Sequence, residues 1–312
     1  MDRYMKNENH PLEASNVVPD RVEESCAANS PSHEQARREQ IEKSLSKKFK
    51  KDIFSRFTKA IVDYELVREG DKIAVCISGG KDSMCMAKLF QELKKHDKFP
   101  FELVFLVMDP GYSDINRKMI ESNAALMGIP LEIFETRIFD AVDNIDKSPC
   151  YLCARMRRGY LYRRAQDLGC NKIALGHHFD DVIETVLMGM LYSGQYQSMM
   201  PKLHSTNFPG MELIRPMYLV RESDIESWRD YNGLTFLRCA CRFTEAQEMM
   251  ASGRSVKEGD SKRLETKRLI AELKKTNPFV EANIFKATQN VVLNKVLGYK
   301  QHGEKHSFLE DY

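Results

Sequence analysis

An apolar run that ends in a glycine-rich loop constrains this chain more than any other feature. Lys72–Ser78 reads KIAVCIS and runs directly into Ser78-Gly79-Gly80-Lys81-Asp82-Ser83, and Ser83–Lys94 then has helical patterning. A continuous apolar run of this kind suits a parallel strand buried on both faces. Paired glycines let backbone approach an anion closely and take dihedrals that other residues avoid. The N-terminus of the following helix offers unpaired N–H groups and a partial positive charge. Lys81 adds a point charge, and Ser78 and Ser83 add hydroxyl donors. The unit is a phosphate cradle between a strand and a helix. It is neither a Walker A loop, because Asp82 rather than Ser or Thr follows Lys81, nor G-x-G-x-x-G.

The same strand-then-helix pattern continues. Glu102–Asp109 (ELVFLVMD), Leu131–Glu135 and Asn171–Gly176 read as strands, and Ile115–Met127, Arg155–Leu168 and Asp180–Tyr192 as helices. A short helix is expected over Glu222–Tyr231. Such alternation predicts an α/β fold with a doubly wound parallel sheet and right-handed crossovers. Ligands then bind beyond the carboxyl ends of the strands, where strand order reverses. Around this core, residues 1–32 are polar and read as a disordered tail. Residues 33–66 form a basic amphipathic helical segment, with Ile41, Leu45, Phe49, Ile53, Phe57 and Ile61 recurring every fourth residue. Its basic face is either solvated or a phosphate-contacting arm. The nucleotide-binding domain occupies 67–250, and 251–312 form a charged helical region whose last helix is expected over Glu281–Val296.

Composition narrows the class. No run of about 18 apolar residues exists in the 312, so no membrane span is expected. The N-terminus lacks the apolar core of a signal peptide, which points to the cytoplasm. The eight cysteines are then expected as thiols or metal ligands rather than disulfides. Cys150-x-x-Cys153 and Cys239-x-Cys241 have ligand-like spacing, whereas Cys76 and Cys85 sit in apolar segments as small core residues. The net charge of +2 does not decide for or against nucleic acid, but 147–166 carry six Lys/Arg and no acid.

A second constellation follows the fourth strand: Gly176-His177-His178-Phe179-Asp180-Asp181, then Glu184-Thr185. Asp181 and Glu184 share a helical face. Carboxylates beside a triphosphate require an intervening cation, and Mg²⁺ favours carboxylate plus phosphate oxygens. His178 supplies a donor or a cation toward a phosphate. Acids that merely complement a helix dipole are the plainer reading. Arg155, Arg157, Arg158, Arg163 and Arg164, with Tyr160 and Tyr162, combine charge for phosphates with rings for splayed bases, or else form a solvated helix face.

The loop at 78–83 resembles the PP-loop of the ATP pyrophosphatases, a HUP-like fold. Together with Cys150-Tyr151-Leu152-Cys153 through Arg157-Arg158-Gly159, and with Gly176-His177-His178-x-Asp180-Asp181-x-x-Glu184-Thr185, it resembles the tRNA 2-thiocytidine synthetase (TtcA-like) family over roughly residues 50–245. The Gln289-Asn290-Val291-Val292 patch is also similar. That resemblance implies a tRNA cytidine 2-sulfurtransferase with ATP, Mg²⁺ and a [4Fe–4S] cluster as cofactors. ATP would adenylate the C2 oxygen of an anticodon-loop cytidine, expected at position 32, before sulfur replaces it.

By the same resemblance Ser78, Gly79, Gly80, Lys81, Asp82 and Ser83 bind phosphates, Met108, Asp109 and Gly176 lie along the nucleotide, and His178, Asp181 and Glu184 complete the site. Lys81, Asp82 and Asp181 are the catalytic candidates, and Arg155, Arg157 and Arg158 the tRNA contacts. Three thiolates would leave one iron open to carry sulfur. Cys150 and Cys153 match two of these ligands. The third lies in a C-x-x-C segment of the family that is C-x-C here, with Cys241 favoured over Cys239. Implied partners are tRNA, a sulfur donor such as a cysteine desulfurase, and a second copy in a homodimer. A four-cysteine zinc site and metal-free thiols stay open. So do a PP-loop thiolase or ligase for another base and a non-catalytic nucleotide- or metal-binding module.

Overall fold

The computed structural model describes residues 31–96, 98–139, 149–237, 262–310 and 312. The expected tail thus falls outside the described residues, apart from Pro31 and Ser32, which open the first helix.

Helix α1 spans Pro31–Ser46, a π-helical turn follows at Lys50–Phe54, and α2 spans Ser55–Asp63. The sequence pattern predicts one continuous helical segment here, and its own period explains the break. An α-helix turns about 100° per residue, so residues spaced by four drift about 40° per step. Six such positions cannot share one face of a straight α-helix. The wider π-turn, in which the Phe54 N–H donates to the Phe49 carbonyl at 3.3 Å, resets the face. All six residues from Ile41 to Ile61 are buried as a result.

The sheet begins with β1 (Lys72–Ile77), followed by α3 (Lys81–Lys95), β2 (Glu102–Asp109), α4 (Asp114–Met127) and β3 (Leu131–Glu135). Next come α5 (Pro149–Asp167), β4 (Lys172–Ala174), α6 (Phe179–Ser193), β5 (Lys202–His204), β6 (Glu212–Ile214) and α7 (Glu222–Tyr231). Helix α5 starts six residues earlier than its periodicity predicts. Pro149 suits the first helical position, where no N–H is needed, and this puts Cys150 and Cys153 within the first five residues of the helix.

Strand order is β3-β2-β1-β4-β6-β5, parallel except for β5, which pairs antiparallel with β6. The expected parallel sheet is therefore mostly parallel, with a short antiparallel edge. Order reverses between β1 and β4, whose register sets Ile73 opposite Lys172 and Val75 opposite Ala174. The phosphate loop and the His-His-Asp-Asp segment emerge side by side from these strands.

Period-two alternation divides β1 between two cores. Ile73, Val75 and Ile77 face the larger one, shared with α1 to α4 and α7, while Ala74 and Cys76 face a smaller one closed by Tyr162 and Ala165 of α5. Ser44 fastens α1 to α7: its hydroxyl accepts from Trp228 Nε1 and Asn232 Nδ2, both at 3.1 Å, and donates to the Ile41 carbonyl at 2.6 Å. These three donors all find acceptors, although Asn232 Oδ1 stays without a partner, and the arrangement fixes the helix whose first residue, Glu222, enters the site.

The C-terminal region is helical only in part. Helices α8 (Lys262–Thr276) and α9 (Val280–Ala287) pack beside α6. The last helix stops at Ala287 rather than Val296, and β7 (Gly298–Gln301) with β8 (Glu304–Ser307) then makes a hairpin. The β-branched pair Val291-Val292 lowers helical preference there, and His302-Gly303 at positive φ makes the turn.

Candidate active site

The loop backbone takes the form its glycines permit. Gly79 has φ +85°, and a Cβ built on it would lie 2.6 Å from Ile120 Cγ1 and 2.9 Å from Leu237 Cδ1. Gly80 is extended and caps α3 with no side-chain cap of its own, so the first N–H groups of that helix point into the loop. Ser83 braces the turn: its Oγ accepts from the Ser78 N–H at 3.2 Å and donates to the Gly80 carbonyl at 3.0 Å. Ser78 Oγ lies 3.2 Å from Ser83 Oγ. Gly176, at the end of β4, packs against this helix start, where a Cβ would meet the Ser83 nitrogen at 3.2 Å.

Lys81 Nζ donates to Glu222 Oε1 at 3.0 Å and sits 3.3 Å from Asp82 Oδ1. Burial works against the charge on Lys81, but Asp82 and Glu222 outweigh it and hold its pKa above the usual lysine value. Burial also lifts the Asp82 carboxyl above its normal range, against the pull of Lys81 and His178. Asp82 Oδ1 is buried without a hydrogen bond. Burial opposes the charge on Glu222 too, yet its bonds to Lys267 and Lys81 bring its pKa down to about 2.

From β4, the His178 N–H donates to Asp181 Oδ2 at 3.0 Å. Asp180 Oδ2 accepts the Glu222 N–H at 2.7 Å and Oδ1 meets Arg221 at 2.9 Å, tying α7 to α6. Asp181 and Glu184 share the guanidinium of Arg263, whose Nη1 lies 2.6 Å from Asp181 Oδ1 and 3.2 Å from Glu184 Oε2. Burial opposes charge on Asp181, but His178 outweighs it and its pKa falls; for Glu184 burial wins and the pKa rises. Burial, with Arg215 next, pushes His177 down to about 4, so its ring is neutral near pH 7. Its Nδ1 is buried without a partner.

Ser78, Asp82, Ser83, Met108, Gly176, His177 and Asp181 line one cavity of about 400 Å³, with Cys76 and Leu161 on its walls and Arg157 reaching in from α5. Six of the twelve expected nucleotide residues are therefore brought together in it. Gly80 and Lys81, with Asp82, line a second cavity of about 540 Å³, and Gly79, His178, Glu184 and Asp109 line neither. Asp109 is turned to other partners. Its Oδ1 accepts the N–H groups of Gly111 and Tyr112 at 2.8 and 2.7 Å, and its Oδ2 meets Arg117 at 2.7 Å. Burial is outweighed by these bonds, which hold its carboxyl below the usual range. The five arginines of α5 also divide. Arg157 enters the cavity, Arg164 pairs with Glu132 at 2.6 Å, and Arg155, Arg158 and Arg163 are exposed.

Asp181 and Glu184 offer two hard oxygen donors, each of which meets Arg263. Among the described residues no three His, Cys, Asp or Glu side chains gather as a metal site, so these two carboxylates suit Mg²⁺ only in company with phosphate oxygens. Cys239 and Cys241 lie outside the described residues, and so do the side chains of Cys150 and Cys153. The chain leaves the described region at Leu237, whose N–H donates to the Gly79 carbonyl at 3.2 Å. Sequence reasoning missed Glu222, Arg263 and Lys267. The only sequence signal for the last two was their spacing of four on a charged helix.

Residues 42–240 match the PP-loop domain family. The chain is 32% identical over 248 residues to the tRNA-cytidine(32) 2-sulfurtransferase of Pelobacter propionicus, covering 78% of this chain and 87% of that protein. It is 35% identical over 243 residues to the enzyme of the same name from Geotalea uraniireducens, covering 77% and 91%. The chain belongs to the PP-loop tRNA-cytidine(32) 2-sulfurtransferase family. The U34-tRNA thiolase NcsA from Methanococcus maripaludis, solved with its [4Fe–4S] cluster, shares the fold of this family member at a TM-score of 0.58 and 21% identity, over 75% of this chain and 76% of that one. Among the described residues no helix is long and apolar enough to cross a membrane.

Proposed function

We propose that this chain is an ATP-dependent tRNA cytidine 2-sulfurtransferase, acting in the cytoplasm on position 32 of the anticodon loop. The observation that carries the reading is the junction of two strand ends. A phosphate loop from β1 and a His-His-Asp-Asp segment from β4 line one cavity, and Arg157 enters it from the helix that bears Cys150 and Cys153.

The chemistry follows from these residues. The cytidine C2 oxygen attacks the α-phosphorus, the bond to pyrophosphate breaks, and the base carries AMP as a leaving group. The loop N–H groups, Lys81 and the two serines hold the departing charge, which a preorganised site stabilises without reorganising water. Asp181 and Glu184, together with phosphate oxygens, would hold Mg²⁺, which supplies charge neutralisation on the phosphates. Neutral His177 offers a hydrogen-bonding nitrogen inside the cavity, toward the base or the ribose. Sulfur at the sulfide level then forms a bond to C2 as the C2–O bond breaks and AMP leaves, with no net redox change. Cys150, Cys153 and Cys241, with Cys239 as the alternate, would hold a [4Fe–4S] cluster that supplies this sulfur. A cysteine desulfurase is the proposed source of sulfur, with a thiol reductant supplying the two electrons that bring its persulfide sulfur to the sulfide level, and a homodimer the proposed assembly.

The test is pyrophosphate release. With tRNA and Mg·ATP the wild type should release it, and Lys81→Ala should lose at least about a hundredfold, as when a stabilising donor is removed from a transition state. Release by Lys81→Ala at the wild-type rate sinks the loop assignment.

A further inference from the structure

Two cations of α8 lie outside the matched PP-loop domain, yet they complete the charge pattern of its site. Arg263, Thr266, Lys267 and Ile270 share one helical face, and Thr266 and Ile270 are buried on it. That packing delivers Arg263 to Asp181 and Glu184. One turn on, Lys267 Nζ donates to Glu222 Oε2 at 2.5 Å, while the other oxygen of Glu222 accepts from Lys81 at 3.0 Å. Each α8 cation therefore rests on a carboxylate with a second claim upon it. Glu222 already holds the lysine of the phosphate loop, and Asp181 and Glu184 are the oxygens suited to Mg²⁺.

A Mg²⁺ ion binds carboxylate oxygen at about 2.0–2.1 Å. It would compete for the Asp181 oxygen that Arg263 contacts at 2.6 Å. The two cations repel each other strongly in a partly desolvated site. A guanidinium displaced from that oxygen, on a helix held by Thr266 and Ile270, can turn to the incoming phosphates. Its Nη1 alone bridges the two carboxylates, and a guanidinium's planar donor set suits phosphate oxygens as well.

Resting on the PP-loop reading above, we propose that Arg263 and Lys267 form a second pyrophosphate-binding pair, which passes from the carboxylates to the β- and γ-phosphates when Mg·ATP enters. Lys267 of the pair and Lys81 meet at Glu222 from two elements far apart in sequence, so that both elements would hold the leaving group.

The experiment is calorimetric binding of inorganic pyrophosphate with Mg²⁺, and of AMP, to the full chain. Arg263→Gln and Lys267→Gln should each weaken Mg·pyrophosphate about tenfold, the scale of one charge-assisted hydrogen bond, and leave AMP binding unchanged. Arg263→Lys should recover part of the loss, and Arg268→Ala, on the exposed face of the same helix, none should be seen. A thermal unfolding midpoint on each sample separates loss of binding from loss of fold, and Arg263→Lys carries the test if Arg263→Gln does not fold. Unchanged pyrophosphate affinity in Arg263→Gln overturns the proposal, as does tighter binding, which would make α8 a mere obstruction. Weakened tRNA binding with pyrophosphate binding intact overturns it in favour of an RNA contact. Failure of the wild type to bind Mg·pyrophosphate overturns the loop reading together with this one.

Discussion

Gly79 and Gly80 are neighbours in one motif, and the structure predicts opposite consequences for replacing them. At Gly79→Ala two costs add. A left-handed backbone costs an L-residue about 1–2 kcal/mol, and φ is +85°. The new methyl would also lie 2.6 Å from Ile120 and 2.9 Å from Leu237, both side-chain atoms that must shift. Overpacking of that kind costs about 1–3 kcal/mol, for a total of roughly 2–5 kcal/mol. In a domain of this size that lowers the midpoint of thermal unfolding by roughly 5–15 °C. If the loop escapes by rotating to negative φ, its N–H groups turn away from the cradle and nucleotide affinity falls instead. Gly80→Ala meets nothing nearer than 3.6 Å and keeps a φ of −79°. Replacing glycine where the backbone already suits alanine stabilises by about 0.4–1 kcal/mol. Denaturant unfolding and Mg·ATP binding of both variants check the pair. A Gly79→Ala protein with wild-type stability and wild-type affinity would refute the reasoning.

Two further outcomes follow from the site. Glu222 has its folded pKa depressed to about 2 from the ordinary 4.5 of a free glutamate, so its contribution is complete above pH 4.5 and is lost as the pH falls toward 2. The shift corresponds to about 3 kcal/mol, at close to 1.4 kcal/mol per pH unit for one proton; Glu222→Gln should therefore flatten the acid limb of stability between pH 4.5 and 3, and an unchanged limb contradicts the ion-pair account. Cys153→Ala should lose iron and acid-labile sulfide while keeping Mg·ATP binding, since α5 reaches the cavity through Arg157, one turn beyond; thiolation that persists without iron rules out the cluster as the sulfur carrier.

Much of the architecture was legible because its signals are local. The apolar runs 102–109 and 131–135 bound β2 and β3 as they stand in the structure, and 78–83 carries its strand, turn and helix start within six residues. Short strands were not legible. β5 and β6 have three residues each, too few for any period to register, and they form because β4 presents an unpaired edge. The four-residue recurrence from Ile41 to Ile61 was visible, but the π-turn it requires was read as continuous helix.

In the site, the limit was sequence distance. Lys81 meets Glu222 across 141 positions and Arg263 meets Asp181 across 82, and no local pattern encodes either pairing. Asp109 has a local role that no pattern announced. Its place at the end of β2 suggested a nucleotide contact made largely through backbone, and its carboxylate is taken up by the following turn and Arg117. Among the arginines of α5, spacing alone did not distinguish Arg157, which enters the cavity, from the exposed Arg158.

The most direct test of the account is nucleoside mass analysis of tRNA incubated with anaerobically purified protein, Mg·ATP and a sulfide source, with AMP and pyrophosphate counted in the same reaction. The account predicts 2-thiocytidine at position 32, with one AMP and one pyrophosphate released per sulfur installed. Sulfur appearing in a uridine, or ATP cleaved to ADP and phosphate with no sulfur in the tRNA, would contradict it.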